Sequence, residues 1–162
     1  MNFTIRKATF EDVPVILTLI RGLAEYERAT PDQVPATEEH LRSSLFGGNP
    51  EAEVLLACEG TDALGFAVFF HNYSTWRGKH GLYLEDLFVK PEARGRGMGK
   101  ALLVELARVA IERNCTLMQW AVLDWNQPSI DFYKALGAEA LDEWTLFRMN
   151  APAMRKLAGL QE

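Results

Sequence analysis

The chain has 162 residues, 48% of them hydrophobic, and 17 Lys+Arg against 22 Asp+Glu leave a net charge of −5. One domain spanning 1–162, with a real core, fits that length, and an acidic balance argues against bulk binding of nucleic acid or of an anionic membrane. No run approaches the roughly 18 apolar residues of a membrane span. The opening Met-Asn-Phe-Thr-Ile-Arg-Lys lacks the apolar stretch of a secretion signal, so a cytoplasmic location is expected.

Phe3 to Arg6 reads as a short first strand. Val13, Ile16, Leu17, Ile20, Leu23 and Ala24 recur at helical spacing within Glu11 to Arg28, with Pro14 tolerated in the first turn. Two prolines make Thr30 to Pro35 a loop, and Thr37 is placed to cap a second helix ending near Phe46, before Gly47-Gly-Asn-Pro50. Three strands follow, Glu53 to Cys58, Leu64 to Tyr73 and Gly81 to Val89, the first two joined by a hairpin-sized turn. Leu102, Leu103, Leu106, Val109 and Ala110 share one face of a helix over Ala101 to Arg113. Thr116 to Leu123 is expected as a strand, Asn126 to Leu136 as a short helix stopped by Gly137, Glu143 to Met149 as a last strand, and Ala151 to Leu157 as a helical turn or two. This order predicts an α/β (α+β) fold with a mixed, mostly antiparallel sheet and helices on both faces.

Cys58 and Cys115 lie far apart in apolar, strand-like runs, which reads as two reduced thiols rather than a disulfide or a zinc site. His40, His71 and His80 show no metal-ligand spacing, so no metal is expected.

The densest chemical signal is Arg94-Gly-Arg-Gly-Met-Gly-Lys100, between a strand and a helix. Alternate glycines Gly95, Gly97 and Gly99 let the backbone approach a ligand and aim N–H groups at one point. The helix that follows adds unpaired N–H groups and a positive dipole end, while Arg94, Arg96 and Lys100 add countercharge around Met98. The arrangement suits a phosphate or pyrophosphate; a ligand-free glycine turn is the bland alternative. The Walker spacing fails, because Arg stands at 94 and Ala101 follows Lys100. The dinucleotide fingerprint fails too, since its third glycine would come one residue later.

The remaining pattern, Arg-x-x-Gly-x-Gly at Arg94, Gly97 and Gly99, resembles the acetyl-CoA pyrophosphate cradle of the GNAT acetyltransferase superfamily. Tyr83-Leu-Glu-Asp-Leu-Phe-Val89 resembles the strand before that cradle in diamine acetyltransferases, and Trp125-Asn-Gln-Pro-Ser-Ile-Asp-Phe-Tyr-Lys-Ala-Leu-Gly-Ala138 resembles their second signature. Tyr73-Ser-Thr-Trp76, Ala121 to Gln127 and Ala153 to Ala158 look closest to the thialysine N-epsilon-acetyltransferase branch. Within this family the polyamine branch carries an Asp where this chain has Ser74, which disfavours spermidine and spermine.

The resemblance implies direct acetyl transfer to a small primary amine in a ternary complex. An alkylammonium of pKa about 10.4 must first lose a proton. Glu85, in an otherwise apolar strand, is the candidate base, directly or through water, with an ion-paired sheet carboxylate as the alternative. Alternation places Tyr83, Glu85 and Leu87 on one face of that strand and Leu84, Asp86 and Phe88 on the other, with Asp86 in a supporting role. Tyr133 is the candidate acid toward the departing thiolate. The resemblance further implies that Leu87, Phe88 and Val89 bond the pantetheine arm like an added strand, that the Leu87 N–H serves the oxyanion beside a bulge, and that Asn126 and Ser129 hold the cofactor arm. Tyr26, Glu27, Ser74 and Trp76 match positions around the amine, with Trp144 as a second wall and Glu143 at its far end. A homodimer is implied as well. The competing readings are a polyamine acetyltransferase, an acyl-CoA-binding sensor without catalysis, and a nucleotide-binding module.

Overall fold

Strand pairing in this protein runs strictly through neighbours. In the computed structural model, which describes residues 2–160, β1 (Thr4–Lys7), β2 (Glu53–Glu59), β3 (Asp62–Ser74), β4 (Lys79–Val89) and β5 (Met118–Gln119) form one sheet in the order β1-β2-β3-β4-β5. The first four are antiparallel to one another, and β5 lies parallel to β4. The chain packs as two compact units, Met1–Ala121 and Val122–Glu162.

In the first unit, β2 and β3 read as almost continuous apolar runs because both their faces are covered. Val54, Leu56, Phe66, Val68 and Phe88 pack against Val13, Ile16 and Leu17 of α1 (Val13–Tyr26) and Leu41 of α2 (Glu38–Phe46). Their strand neighbours Leu55, Ala57, Ala67 and Phe69 point the other way and are equally buried. α3 (Met98–Glu112) packs against β1 to β4 and contributes Leu102 and Leu106, both with no exposed surface. Phe66 and Phe69 are also wholly buried, each worth about 1.5–3 kcal/mol by apolar transfer. Helices on both faces of a mixed, mainly antiparallel sheet are what the element order predicts. Thr37 caps α2 as expected, its hydroxyl accepting from the His40 N–H at 3.2 Å.

One irregularity positions the functional half of β4. Val68 pairs with Asp86 and Phe69 with Leu84, so Glu85 is an extra residue without a partner on β3, a β-bulge. The bulge overturns the expected alternation. Leu84 faces with Phe69, while Asp86 and Phe88 face with Val68 and Phe66, toward α1. Simple alternation would have put Leu84, Asp86 and Phe88 together.

Three other expectations are corrected. The strand expected over Thr116 to Leu123 is reduced to Met118–Gln119, paired with Leu82 and Tyr83. The bulge follows two residues later and turns β4 away, which ends the ladder. No strand forms over 143–149 among the described residues. Leu146 and Phe147 there are 79% and 89% exposed, and an extended segment without a pairing neighbour or a buried face has nothing to offset its ordering entropy. α3 also starts at Met98, inside the glycine run, rather than at Ala101.

In the second unit, α4 (Gln127–Ala135) is capped by the Asn126 side chain, which accepts from the Ser129 N–H. Gly137, at φ 91°, ends it, and the Ala138 N–H returns to the Tyr133 carbonyl at 3.1 Å. α5 (Ala151–Leu157) is capped in the same way by Asn150.

Candidate active site

The bulge produces an acidic group. Glu85 is exposed, and Asp86 is half-buried on the α1 face. Burial first, then the neighbouring Glu85 and Glu27 carboxylates, push the Asp86 carboxyl up to about 6. Burial likewise raises the Glu27 carboxyl above the ordinary range. Glu27 lies just past the end of α1 as its C-cap, beside Tyr26. Glu85 and Glu27 therefore both lie close enough for Asp86 to feel their charge. Sequence reasoning ranked Glu85 first and left Asp86 in support; only the bulge shows Asp86 turned into the same acidic group. The signal available in the sequence was the Glu85-Asp86 pair within an apolar strand.

Beyond the bulge β4 has an open edge. Its parallel pairing with β5 stops at Tyr83, so from Asp86 to Val89 it is laddered only to β3 among the described residues. Exposed strand edges accept extended ligands as an added strand. The Phe88 side chain is buried toward α1.

The glycine run continues from that edge. Gly95 and Gly97 adopt φ 72° and φ 86°, a left-handed conformation that side chains with a Cβ strain to reach. Gly97 is the N-cap of α3 and has no side chain to satisfy the first-turn N–H groups; α2, α4 and α5 each have a side-chain cap. Those N–H groups and the helix dipole remain available to an anion. Met98 is buried, so its side chain serves the core and only its backbone faces the cradle.

The cations of the run are shared with the fold. The Arg94 guanidinium lies 4.4 Å from the Tyr26 ring centroid and 5.6 Å from that of Phe88. Its Nε donates to the Val89 carbonyl at 3.0 Å, pinning the loop to α1 and β4. Arg96 pairs with Glu59, and Lys100 is exposed. A cleft of about 350 Å³ lined by Thr18, Gly22, Glu25, Tyr26, Phe88 and Lys90 runs beside this contact.

The hairpin residues lie elsewhere. Ser74 pairs with Lys79 at the far end of β3 and β4. Six residues of strand separate Lys79 from Glu85, about 20 Å, so within one chain a small amine cannot touch both Glu85 and the Ser74–Trp76 tip. Trp76 is 91% exposed.

In the second unit, Asn126 is buried at the head of α4, Ser129 is one turn along, and Tyr133 is in the last turn with its ring 5.4 Å from Phe132. Glu143 and Trp144 are exposed in the segment that follows.

A strand with an open edge, a glycine cradle and an uncapped helix in direct succession form the arrangement that the sequence resemblance anticipates. The Acetyltransferase (GNAT) family model matches residues 20–138. This chain belongs to the GNAT acetyltransferase family. Among GNAT proteins, it is 45% identical to a thialysine N-epsilon-acetyltransferase of Bos taurus over 96% of either chain. It is 31% identical to an L-ornithine N5-acetyltransferase of Arabidopsis thaliana, over 94% of this chain and 86% of that one. A solved integron cassette protein from the mobile metagenome of V. cholerae shares the fold with a TM-score of 0.81 and 27% identity, over 98% of each chain. The protein is thus an acetyltransferase, and the stretch matched by the family spans β4, the glycine run and α4.

Proposed function

We propose that this GNAT enzyme acetylates the side-chain amine of a small amino acid of the thialysine or lysine type, using acetyl-CoA in a ternary complex. The observation that carries the reading is the acidic group Glu27, Glu85 and Asp86 beside the open edge of β4. An alkylammonium is drawn to such a group, and at neutral pH only about one amine in 2,500 is free to attack. Asp86, held near neutrality, and Glu85, exposed at the bulge, are suited to take that proton.

The residues present fit acetyl-CoA, which supplies the acetyl group as an activated thioester. On the side away from β3, Leu87 to Val89 offer an extended arm a backbone edge with no paired strand among the described residues. Gly95, Gly97 and the first turn of α3 offer a cradle to its phosphates, with Lys100 as the exposed cation. Asn126 and Ser129 are assigned to the arm, and the Tyr133 phenol to protonating the departing sulfur, since phenols keep their proton at neutral pH. Two free thiols agree with a reduced, cytoplasmic setting. The exposed Trp144, Leu146 and Phe147 support a homodimer that covers them, which light scattering at varied concentration tests.

Substrate choice rests on relatives named for amino-acid substrates, since Ser74 lies about 20 Å from Glu85 within one chain. A panel of thialysine, lysine, ornithine, putrescine and spermidine with acetyl-CoA tests it. Thialysine or lysine is expected to give the highest kcat/KM; a tenfold preference for spermidine overturns the assignment.

A further inference from the structure

At the opposite end of α3 from the glycine cradle, three side chains converge that the acetyl-transfer chemistry does not use. Strand register puts Tyr73 opposite His80 and His71 opposite Leu82, so the two histidines are diagonal neighbours on the face that α3 covers. Their rings lie 5.2 Å apart at 84°. After α3 the chain turns so that the Cys115 N–H reaches the Ala110 carbonyl at 2.8 Å and the Thr116 N–H reaches the His80 carbonyl at 3.1 Å, which delivers Cys115 beside the pair. One nitrogen from each histidine and the Cys115 sulfur all lie within 4.8 Å of one another.

We infer that His71, His80 and Cys115 form a binding site for a zinc ion, with the fourth position open to solvent. Two imidazoles and a thiolate are the donor set that a borderline-soft ion prefers over magnesium or calcium. Bonds of about 2.0–2.3 Å around a tetrahedral ion hold ligand atoms roughly 3.5 Å apart. Closure therefore asks for about 1 Å of movement, which rotation of the exposed His71 supplies.

The surroundings are already those of a metal ligand. His80 Nε2 lies 2.8 Å from the Arg113 carbonyl. A carbonyl only accepts, so Nε2 carries the proton and Nδ1 presents its lone pair. Zinc-bound histidines are oriented and tautomerised by this kind of contact. The guanidinium of Arg113 would repel an ion if left alone, but both its terminal nitrogens are taken by the Glu53 carboxylate. The site also lies past the C-terminal, negative end of the α3 dipole.

The 15 residues of α3 put about 22 Å between this site and the glycine cradle. The ion takes no part in acetyl transfer. It ties the β3–β4 hairpin to the end of α3, and the inference stands whichever amine is the substrate. Its ligands are nine and 35 residues apart in sequence, which is why no motif announced them.

The test uses the full chain, stripped with a chelator and then titrated with zinc or cobalt(II) chloride. Wild type is expected to hold one zinc per chain, to melt at a higher temperature with zinc than without, and to show a thiolate-to-cobalt charge-transfer band. Cys115→Ser should lose the band and the melting shift. His71→Asn, a change at an exposed position that leaves the fold intact, should weaken zinc binding at least tenfold. The inference is overturned if wild type takes up no more zinc than Cys115→Ser, or if His71→Asn binds as wild type does.

Discussion

Replacing Asp86 by asparagine should stabilise the protein while damaging its chemistry. The Asp86 carboxyl rises from 3.8 to about 6 on folding, mainly through burial. A carboxyl with a raised folded pKa binds its proton more tightly when folded. Its contribution is therefore most favourable below the unfolded pKa and is lost as pH rises through the folded one. A shift of about two units corresponds to about 3 kcal/mol of destabilisation, complete by about pH 8 and reduced to about 0.5 kcal/mol near pH 4. Asparagine keeps the size and carries no charge to desolvate. Asp86→Asn should thus be more stable than wild type by up to about 3 kcal/mol near pH 8, or roughly 6–12 °C in melting temperature for a chain of this size. Near pH 4 the two should nearly coincide. Paired thermal and urea melts at both pH values measure this, and kcat/KM should fall in parallel, the stability–activity trade-off expected where a site stores desolvation cost. Equal stability differences at both pH values, or a variant less stable than wild type near pH 8, would refute the assignment of burial as the cause.

Glu85→Gln should slow the reaction most near neutral pH and recover in part as the pH nears the amine pKa of about 10.4; a loss independent of pH in the rate profile would instead make Glu85 structural. Tyr133→Phe should lower kcat by about 10²–10⁴ with little change in the KM for acetyl-CoA, and wild-type turnover in steady-state assays would remove the phenol from the mechanism. Gly97→Ala forces a Cβ into φ 86° at the α3 N-cap, costing about 1–2 kcal/mol. Acetyl-CoA binding by calorimetry should weaken in step, and unaltered affinity would argue against the cradle. Phe66→Ala empties a fully buried core position and should cost about 3–5 kcal/mol in urea unfolding.

Most of the fold was legible because its signals are local. The helical spacing from Val13 to Ala24, the caps at Thr37 and Asn126 and the stop at Gly137 each lie within a turn or two of the structure they specify. Two strands were overestimated for a complementary reason. Thr116 to Leu123 and Glu143 to Met149 have strand-like composition, but a strand exists only where another supplies its hydrogen bonds, and composition does not report the neighbour. The tight turn of the glycine run was readable because the left-handed backbone at Gly95 and Gly97 is written in the residue type itself.

What the sequence determined by itself was the order of elements, the left-handed glycine run at the head of α3 and the family, all of which depend on residue type and short-range spacing. Tertiary structure alone decided the rest. Pairing of β3 with β4 left Glu85 unmatched, and that single extra residue swung Asp86 toward α1 and Glu27 and raised its carboxyl to about 6. The same pairing, with the turn after α3, gathered His71, His80 and Cys115. A side chain's pKa and its possible ligands depend on which distant groups register and burial bring within a few ångströms, and that is a property of the pairing rather than of any one segment.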